Sequence, residues 1–273
     1  MSEFASTEWT AEEVAAAKET KRLLQAHKTF EQSFLSDREI FLATVNCKFR
    51  PEKACEKMVK WTGEMKASFG INSFDEVYAG LGAAGEGPDE EWARVGQCLT
   101  AYAGCGLDKH GRSIMWIRSR PTTKDEERDA VRCGVIYFTA IHADLTSMRE
   151  GITFVIDTTE NSSMGKTGNE SKMQRVYQSI PLRPQHIFIL GAGWFKRAVI
   201  NALIRIASLF TSDKVIDRVR FATLPDVIKE VDVSSLPVYM HEEALGGGIV
   251  ENDQVISYVR RRLANFPAVP DLS

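Results

Sequence analysis

The chain has 273 residues, 44% of them hydrophobic and 26% charged, with a net charge of −3 and a pI near 6.0. Such a balance describes a globular protein, either one large domain with an accessory piece or two small domains. It excludes the dominant basic face of a nucleic-acid module, and no run approaches the roughly 18 consecutive apolar residues of a membrane span.

The first third reads as helices. MSEFASTEWTAEEVAAAKET is acidic and has no apolar signal core, so a soluble, cytoplasmic protein is expected. Thr10-x-x-Glu13, Ser36-x-x-Glu39 and Ser73-x-x-Glu76 mark helix starts, the first two in capping-box form. Pro51 suits a first helical position, Ala54, Met58, Trp61, Met65 and Phe69 recur at helical spacing, and Gly70 ends the pattern. Gly80 to Trp92 has four glycines and no periodicity, and reads as a linker.

Beyond the linker the rhythm changes. CLTAYAGCGLDKHGRSIMWIRS predicts a hairpin around Asp108-Lys109-His110-Gly111. Thr123-x-x-Glu126 caps a helix running to about Met148, and GITFVID follows as a strand. Asn169 to Ile180 reads as a helix, HIFILG as a strand, Trp194 onward as a long helix, VRFAT as a strand, and Asp253 to Asn265 as a terminal helix. Alternating strands and helices predict an α/β domain with a mostly parallel sheet. The expected division is 1–80 for a helical N-terminal module, 93–250 for the main domain and 251–273 for a C-terminal helix and tail.

HIFILGAGWFKR invites a nucleotide reading, because a strand, a glycine turn and a helix follow one another. The series Gly191, Gly193 then meets Lys196 where the third glycine of a dinucleotide turn belongs, so that reading is weak. The helix that follows is more informative. Phe195, Val199, Ala202, Leu203, Ile206 and Phe210 form an apolar stripe, which Trp194 helps to widen. Its charged positions, Lys196, Arg197 and Arg205, are all positive. A buried core helix would carry the stripe, but cations on a wide apolar helix also suit an anionic membrane surface.

Several segments together resemble the CRAL-TRIO lipid-binding family of phosphatidylinositol-transfer, tocopherol-transfer and retinaldehyde-binding proteins. FLATVNCKFRPEKACEKMVKW is similar to the family's N-terminal stretch, and DKHGRSIMWIR to its Asp-x-x-Gly-Arg-Pro hairpin, with Ser113 in place of Pro. GITFVIDTTENSS, QSIPLRPQHIFILGAGWF, Asp213 to Val219 and LPVYMHEEALGGG follow in the family's order, over roughly residues 38 to 248. The resemblance implies a helical module followed by an α/β cage, whose sheet floors an apolar pocket beneath a mobile gate helix. Phe154, Ile156, Phe188 and Leu190 are then expected to floor the pocket. Trp194, Phe195, Val199, Leu203, Ile206 and Phe210 would line it from the gate, Gly191 and Gly193 would hinge that gate, and Lys196, Arg197 and Arg205 would meet the membrane. Ser162, Ser163 and the retained Arg218 are candidates for head-group contact. Leu182 stands where phosphatidylinositol binders of the family carry Glu, and Met240 to Leu245 is an insertion in the closing segment.

Other chemistry finds little support. The five cysteines lack metal-type spacing and the five histidines are scattered. No GxSxG elbow accompanies Ser162 or Ser163, and GKTGNE lacks the spacing of a phosphate loop. The expected function is therefore non-enzymatic binding and transfer, or sensing, of a hydrophobic ligand, most simply a phospholipid. That function needs no cofactor, metal or nucleic acid, and suits a monomer in transient contact with anionic membranes. An adaptor of the same fold for a trafficking or GTPase partner, and a nucleotide-dependent enzyme, are the alternatives.

Overall fold

The computed structural model describes residues 9–76, 101–118, 145–157, 175–176, 178–191, 218–236 and 268–273, with backbone alone at 101–106, 117, 118 and 145. Helix α1 (Ala11–Ala26) begins where the sequence places it: Glu13 N donates to Thr10 Oγ1 at 3.1 Å, and Thr10 N donates back to Glu13 Oε2 at 2.9 Å. Its buried stripe, Ala17, Thr20 and Leu24, faces α2 (Asp37–Asn46), where Thr44 Oγ1 donates to Thr20 Oγ1 at 2.9 Å. The second expected capping box does not form. Ser36 makes no side-chain cap, and Glu39 is drawn wholly into the interior. At Ser73 the cap forms, but the reciprocal bond shifts by one residue. Ser73 Oγ accepts from Glu76 N, but the Glu76 carboxylate reaches Asn72 N.

Helix α3 (Pro51–Phe69) opens on Pro51 and closes on Gly70, whose φ of 70° is the left-handed conformation that glycine takes without a Cβ penalty. Its buried positions Ala54, Met58, Trp61 and Met65 hold the module together, and Trp61 stacks on Phe74 with centroids 5.6 Å apart. Between α2 and α3 the chain turns through two consecutive left-handed non-glycine residues, Lys48 (φ 61°) and Phe49 (φ 56°). Such residues each store on the order of 1–3 kcal/mol. The turn is held by Lys48 N donating to Val45 O and Phe49 N to Thr44 O.

Among the described residues five strands form one sheet in the order β1-β2-β3-β4-β5: Ala101–Leu107, Ser113–Arg118, Ile152–Asp157, Pro184–Leu190 and Val219–Ala222. β1 and β2 are the expected antiparallel hairpin, and β2 to β5 run parallel. The short helix α4 (Leu145–Glu150) precedes β3, and α5 (Leu224–Ile228) follows β5.

Register settles which side chains share a face. Met115 lies beside Phe154, Phe154 beside Ile187, Ile156 beside Ile189, Ile187 beside Val219, and Ile189 beside Phe221. In a parallel pair neighbours in register point the same way, so these seven residues share one face. Trp116, Val155, Phe188 and Leu190 occupy the other. The expectation that Phe154, Ile156, Phe188 and Leu190 together floor a pocket is therefore corrected: two stand on each face. The cause is an irregularity at the start of β4. Ile152 pairs with Pro184 but Thr153 with His186, so Gln185 is an extra residue on β4. Continued in phase from Ile152, Ile156 would have met Phe188 and all four would have shared a face.

The helical module meets the sheet domain through charged side chains. Glu13, 1% exposed, receives both Arg149 Nε and Arg149 Nη2, the latter at 2.7 Å. Burial alone would raise the pKa of Glu13, but hydrogen bonds from Arg149 and Thr10 and the Arg149 charge outweigh it and hold the carboxyl below its ordinary value. Lys57 Nζ donates to Gln178 O at 2.7 Å, and Arg175 pairs with Glu64 at 3.1 Å. The tail packs on α1: Trp9 Nε1 donates to Ala268 O, Lys18 Nζ to Ser273 O, and Leu272 is buried.

Candidate functional site: an apolar sheet face and a basic cluster

The middle of the first face is apolar, with the polar Ser113 at the start of β2 on its margin. Met115, Phe154, Ile187 and Ile189 are at most 3% exposed, Ile156 and Val219 are half-buried, and Phe221 is 50% exposed. The second face mixes apolar Trp116, Val155, Phe188 and Leu190 with Thr153, Asp157, His186 and Arg220. A surface that holds an acyl chain or other hydrophobic group must be dry and uncharged, and the first face is the one that meets this condition.

Beneath the second face lies a polar knot that the sequence shows only as a turn. Asp108 Oδ1 accepts from His110 N and Arg112 N, while Oδ2 accepts from Arg112 Nε at 2.8 Å and from Thr153 Oγ1 at 2.7 Å. Burial would raise the pKa of Asp108, but these hydrogen bonds and the Arg112 charge prevail and hold it below its ordinary value. Asp108 also bridges Val231, and Lys109 N donates to Glu230 O. The Asp-x-x-Gly-Arg segment thus joins the hairpin to β3 and to the chain after α5. Gly111 (φ 76°) permits the turn. Ser113 N–H donates to Ser147 Oγ at 2.6 Å, a bond that a proline at this position could not make. Close by, His186 stacks on Phe188 at 5.9 Å. Burial first, then the charges of Arg112 and Arg220, lower its pKa against the opposing pull of Glu230 and Asp108.

Arg218, the head-group candidate, is half-buried and donates Nη1 to Pro184 O. Arg183 donates Nη1 to Met148 O at 3.4 Å, and Lys48, Arg50 and Lys53 complete a cluster of cations that sequence reading did not assemble. No local signal joins them, because Lys48 belongs to the α2–α3 turn and Arg183 to the approach to β4. Leu182 is half-buried and packs against the core. Gly191 closes β4 with φ 79°. Ser162, Ser163, Gly193, Trp194, Phe195, Lys196, Arg197, Val199, Leu203, Arg205, Ile206 and Phe210 lie outside the described residues. Among the described residues no helix is long and apolar enough to cross a membrane, and no group of three His, Cys, Asp or Glu side chains could hold a metal. An open groove of about 460 Å³, lined by Leu23, His27, Cys55 and Val59 among others, lies on the helical module.

A mostly parallel α/β sheet with a largely apolar face, preceded by a helical module, is suited to holding a lipophilic ligand. Residues 101–245, more than half of the chain, match the CRAL/TRIO domain, and the protein belongs to that family. Comparison with curated proteins gives no match. The family assigns the domain to the binding and transport of lipophilic molecules.

Proposed function

We propose that the protein takes up a phospholipid, or an amphiphile of similar size, and carries it between membranes or reports its presence. The supporting observation is the apolar face formed by Met115, Phe154, Ile156, Ile187, Ile189, Val219 and Phe221. Exposing an acyl chain to water costs roughly 0.8 kcal/mol per methylene, so movement between membranes requires an apolar enclosure. In this reading the domain over 93–250 holds the ligand, the module over 1–80 braces it, and 251–273 closes the chain. Trp194 to Phe210 forms a gate hinged at Gly191 and Gly193. Lys196, Arg197 and Arg205 then meet an anionic surface, and Ser162, Ser163 and Arg218 contact the head group. No step needs a catalytic residue or cofactor, and a monomer working at membranes from the cytoplasm suffices.

Native mass spectrometry of the purified chain tests this reading. A bound lipid of defined mass, exchangeable with phosphatidylcholine vesicles, is the expected result. A folded chain that carries no hydrophobic ligand and takes none from vesicles would overturn it and favour the adaptor. Combining Lys196→Glu with Arg197→Glu tests the gate: transfer should slow and lose its salt dependence, and an unchanged folded double variant refutes the assignment.

A further inference from the structure

The segment Ala268–Ser273 lies on α1 without forming part of any helix or strand. Trp9 Nε1 donates to Ala268 O at 3.0 Å, and Lys18 Nζ donates to Ser273 O at 3.0 Å. The rise along a helix over the interval from Trp9 to Lys18 is about 14 Å. The interval from Ala268 to Ser273 spans about 17 Å when extended. The segment therefore runs parallel to α1, nearly extended, with both ends pinned. Between the pins Leu272 is 4% exposed, and Val269 is half-buried against the core. Asp271 is exposed and accepts from Ser273 N at 2.8 Å and from Ser273 Oγ at 2.9 Å. Those bonds hold its carboxyl below the ordinary value, and the charges of Lys18 and Lys21 add to the effect. On the receiving side, Val14, Lys18 and Lys21 recur at i, i+4 and i+7, so they share one flank of α1 beside its buried stripe. That side is already in place: Trp9 is fixed edge-on against Phe41 with centroids 4.6 Å apart, and Lys21 pairs with Asp37 at 2.7 Å.

We infer that this flank of α1 is a peptide-binding site, filled in cis by Ala268–Ser273, and that its ligand is an extended segment of a partner protein with an acidic residue next to a leucine. The contacts say what the site reads: two backbone carbonyls, one buried leucine, and one carboxylate whose charge Lys18 and Lys21 favour. None of these is peculiar to this chain, so a foreign segment with the same Asp-Leu pair meets the same groups. The contact in cis is also one that releases. Both pinning hydrogen bonds are exposed to solvent, and both bonds of Asp271 stay within the segment. Leu272 is thus the one buried anchor among these residues, set against the entropy of ordering the whole segment. The tether gives the segment an effective concentration on the order of millimolar, so a partner displaces it only by binding more tightly than that. Weak chance matches are thereby rejected. Release uncovers the Leu272 socket together with Trp9, Lys18 and Lys21.

The test uses the full chain and a labelled peptide of residues 268–273, AVPDLS, read by fluorescence anisotropy. Leu272→Asp should free the site, and that variant should bind the peptide at least about tenfold more tightly than the unaltered chain does. Adding Lys18→Glu should remove the gain, and peptides carrying Leu272→Asp or Asp271→Lys should bind neither chain. No binding to a folded Leu272→Asp chain, equal binding by both chains, or binding that survives Lys18→Glu overturns the inference. Hydrogen exchange of the unaltered chain decides the question should that variant fail to fold. Excess peptide should speed exchange of residues 268–273 while α1 stays protected, and an unmoved segment overturns the inference. Sedimentation at rising concentration separates the occupants. The unaltered chain should stay monomeric, and a dimer that trades these segments would make the occupant a second copy and overturn the partner assignment. Each readout is of peptide, exchange or mass, so none depends on a bound lipid.

Discussion

Phe154 and Phe188 stand on neighbouring strands but on opposite faces of the sheet: Phe154 lies beside Ile187, and Phe188 beside Val155. The two faces differ in chemistry, so the two rings have different jobs. On the apolar face, Ile156→Asp at a half-buried position should reduce hydrophobic-ligand retention in a protein that still folds. On the other face, Phe188→Ala should leave the extracted ligand unchanged and lower stability by about 3–5 kcal/mol, the cost of an aromatic cavity. Extraction with mass spectrometry and denaturant unfolding read the two effects. Loss of ligand in the Phe188 variant, with retention in the Ile156 variant, would reverse the faces.

Gly151 is the position least tolerant of a side chain. Its φ is 109°, and a Cβ there would come within 2.5 Å of Arg183 O, a backbone atom that cannot swing aside. The same carbonyl accepts from Ile152 N at 2.9 Å. Gly151→Ala should therefore disturb the meeting of β3 with the approach to β4 and cost upwards of roughly 1–3 kcal/mol. Gly63, where an added Cβ meets nothing within 4 Å, serves as the control. Gly63→Ala in α3 should be neutral or stabilising by up to about 1 kcal/mol. Thermal unfolding of both variants checks the pair.

The knot beneath the second face makes stability pH-dependent through His186. In the unfolded chain its imidazole takes a proton near the ordinary value of 6.5, while burial, Arg112 and Arg220 resist that proton in the fold. Protons then bind the unfolded state preferentially, so stability declines as pH falls through 6.5 and the loss is complete below the folded value. The midpoint of unfolding should fall between neutral and mildly acidic pH, and His186→Gln should flatten that slope. An equal slope in the variant would assign the dependence to other groups.

Leu182 bears on head-group choice. Inositol hydroxyls are donors, and a buried donor left without an acceptor costs roughly 1–3 kcal/mol. With Leu182 half-buried in the core and no carboxylate at that position, lipid exchange should show weak or no preference for phosphatidylinositol over phosphatidylcholine. Leu182→Glu should shift the preference toward phosphatidylinositol. A strong preference in the unaltered chain would place the acceptor elsewhere.

Legibility in the sequence followed the range of the forces involved. Pro51, Gly70 and the Ala54–Met58–Trp61–Met65 stripe fix α3 through neighbours a turn away, and the helix is where they put it. The Asp108 to Gly111 turn was equally plain, and so was the succession of strands along the chain. The sharing of faces was not, because alternation along one strand says nothing about its phase against the next. One extra residue, Gln185, set that phase. Ser36 carried a sound local cap signal that burial of Glu39 overrode. The cluster around Lys48 joins segments far apart in the chain, with nothing local to announce it.

The order of the sheet has a consequence for synthesis. Strands lie side by side in the sequence in which they are made, β1 through β5, so each arriving strand finds its partner already exposed and waits for no later segment. Assembly can then proceed in step with elongation, each addition requiring only a single new crossover. The exception is the bridge from Asp108 to Val231, which cannot close until the chain has passed β5. A released chain cut short before residue 219 would hold a sheet whose edge is β4, unpaired where β5 belongs, and that species is open to capture by a neighbouring chain.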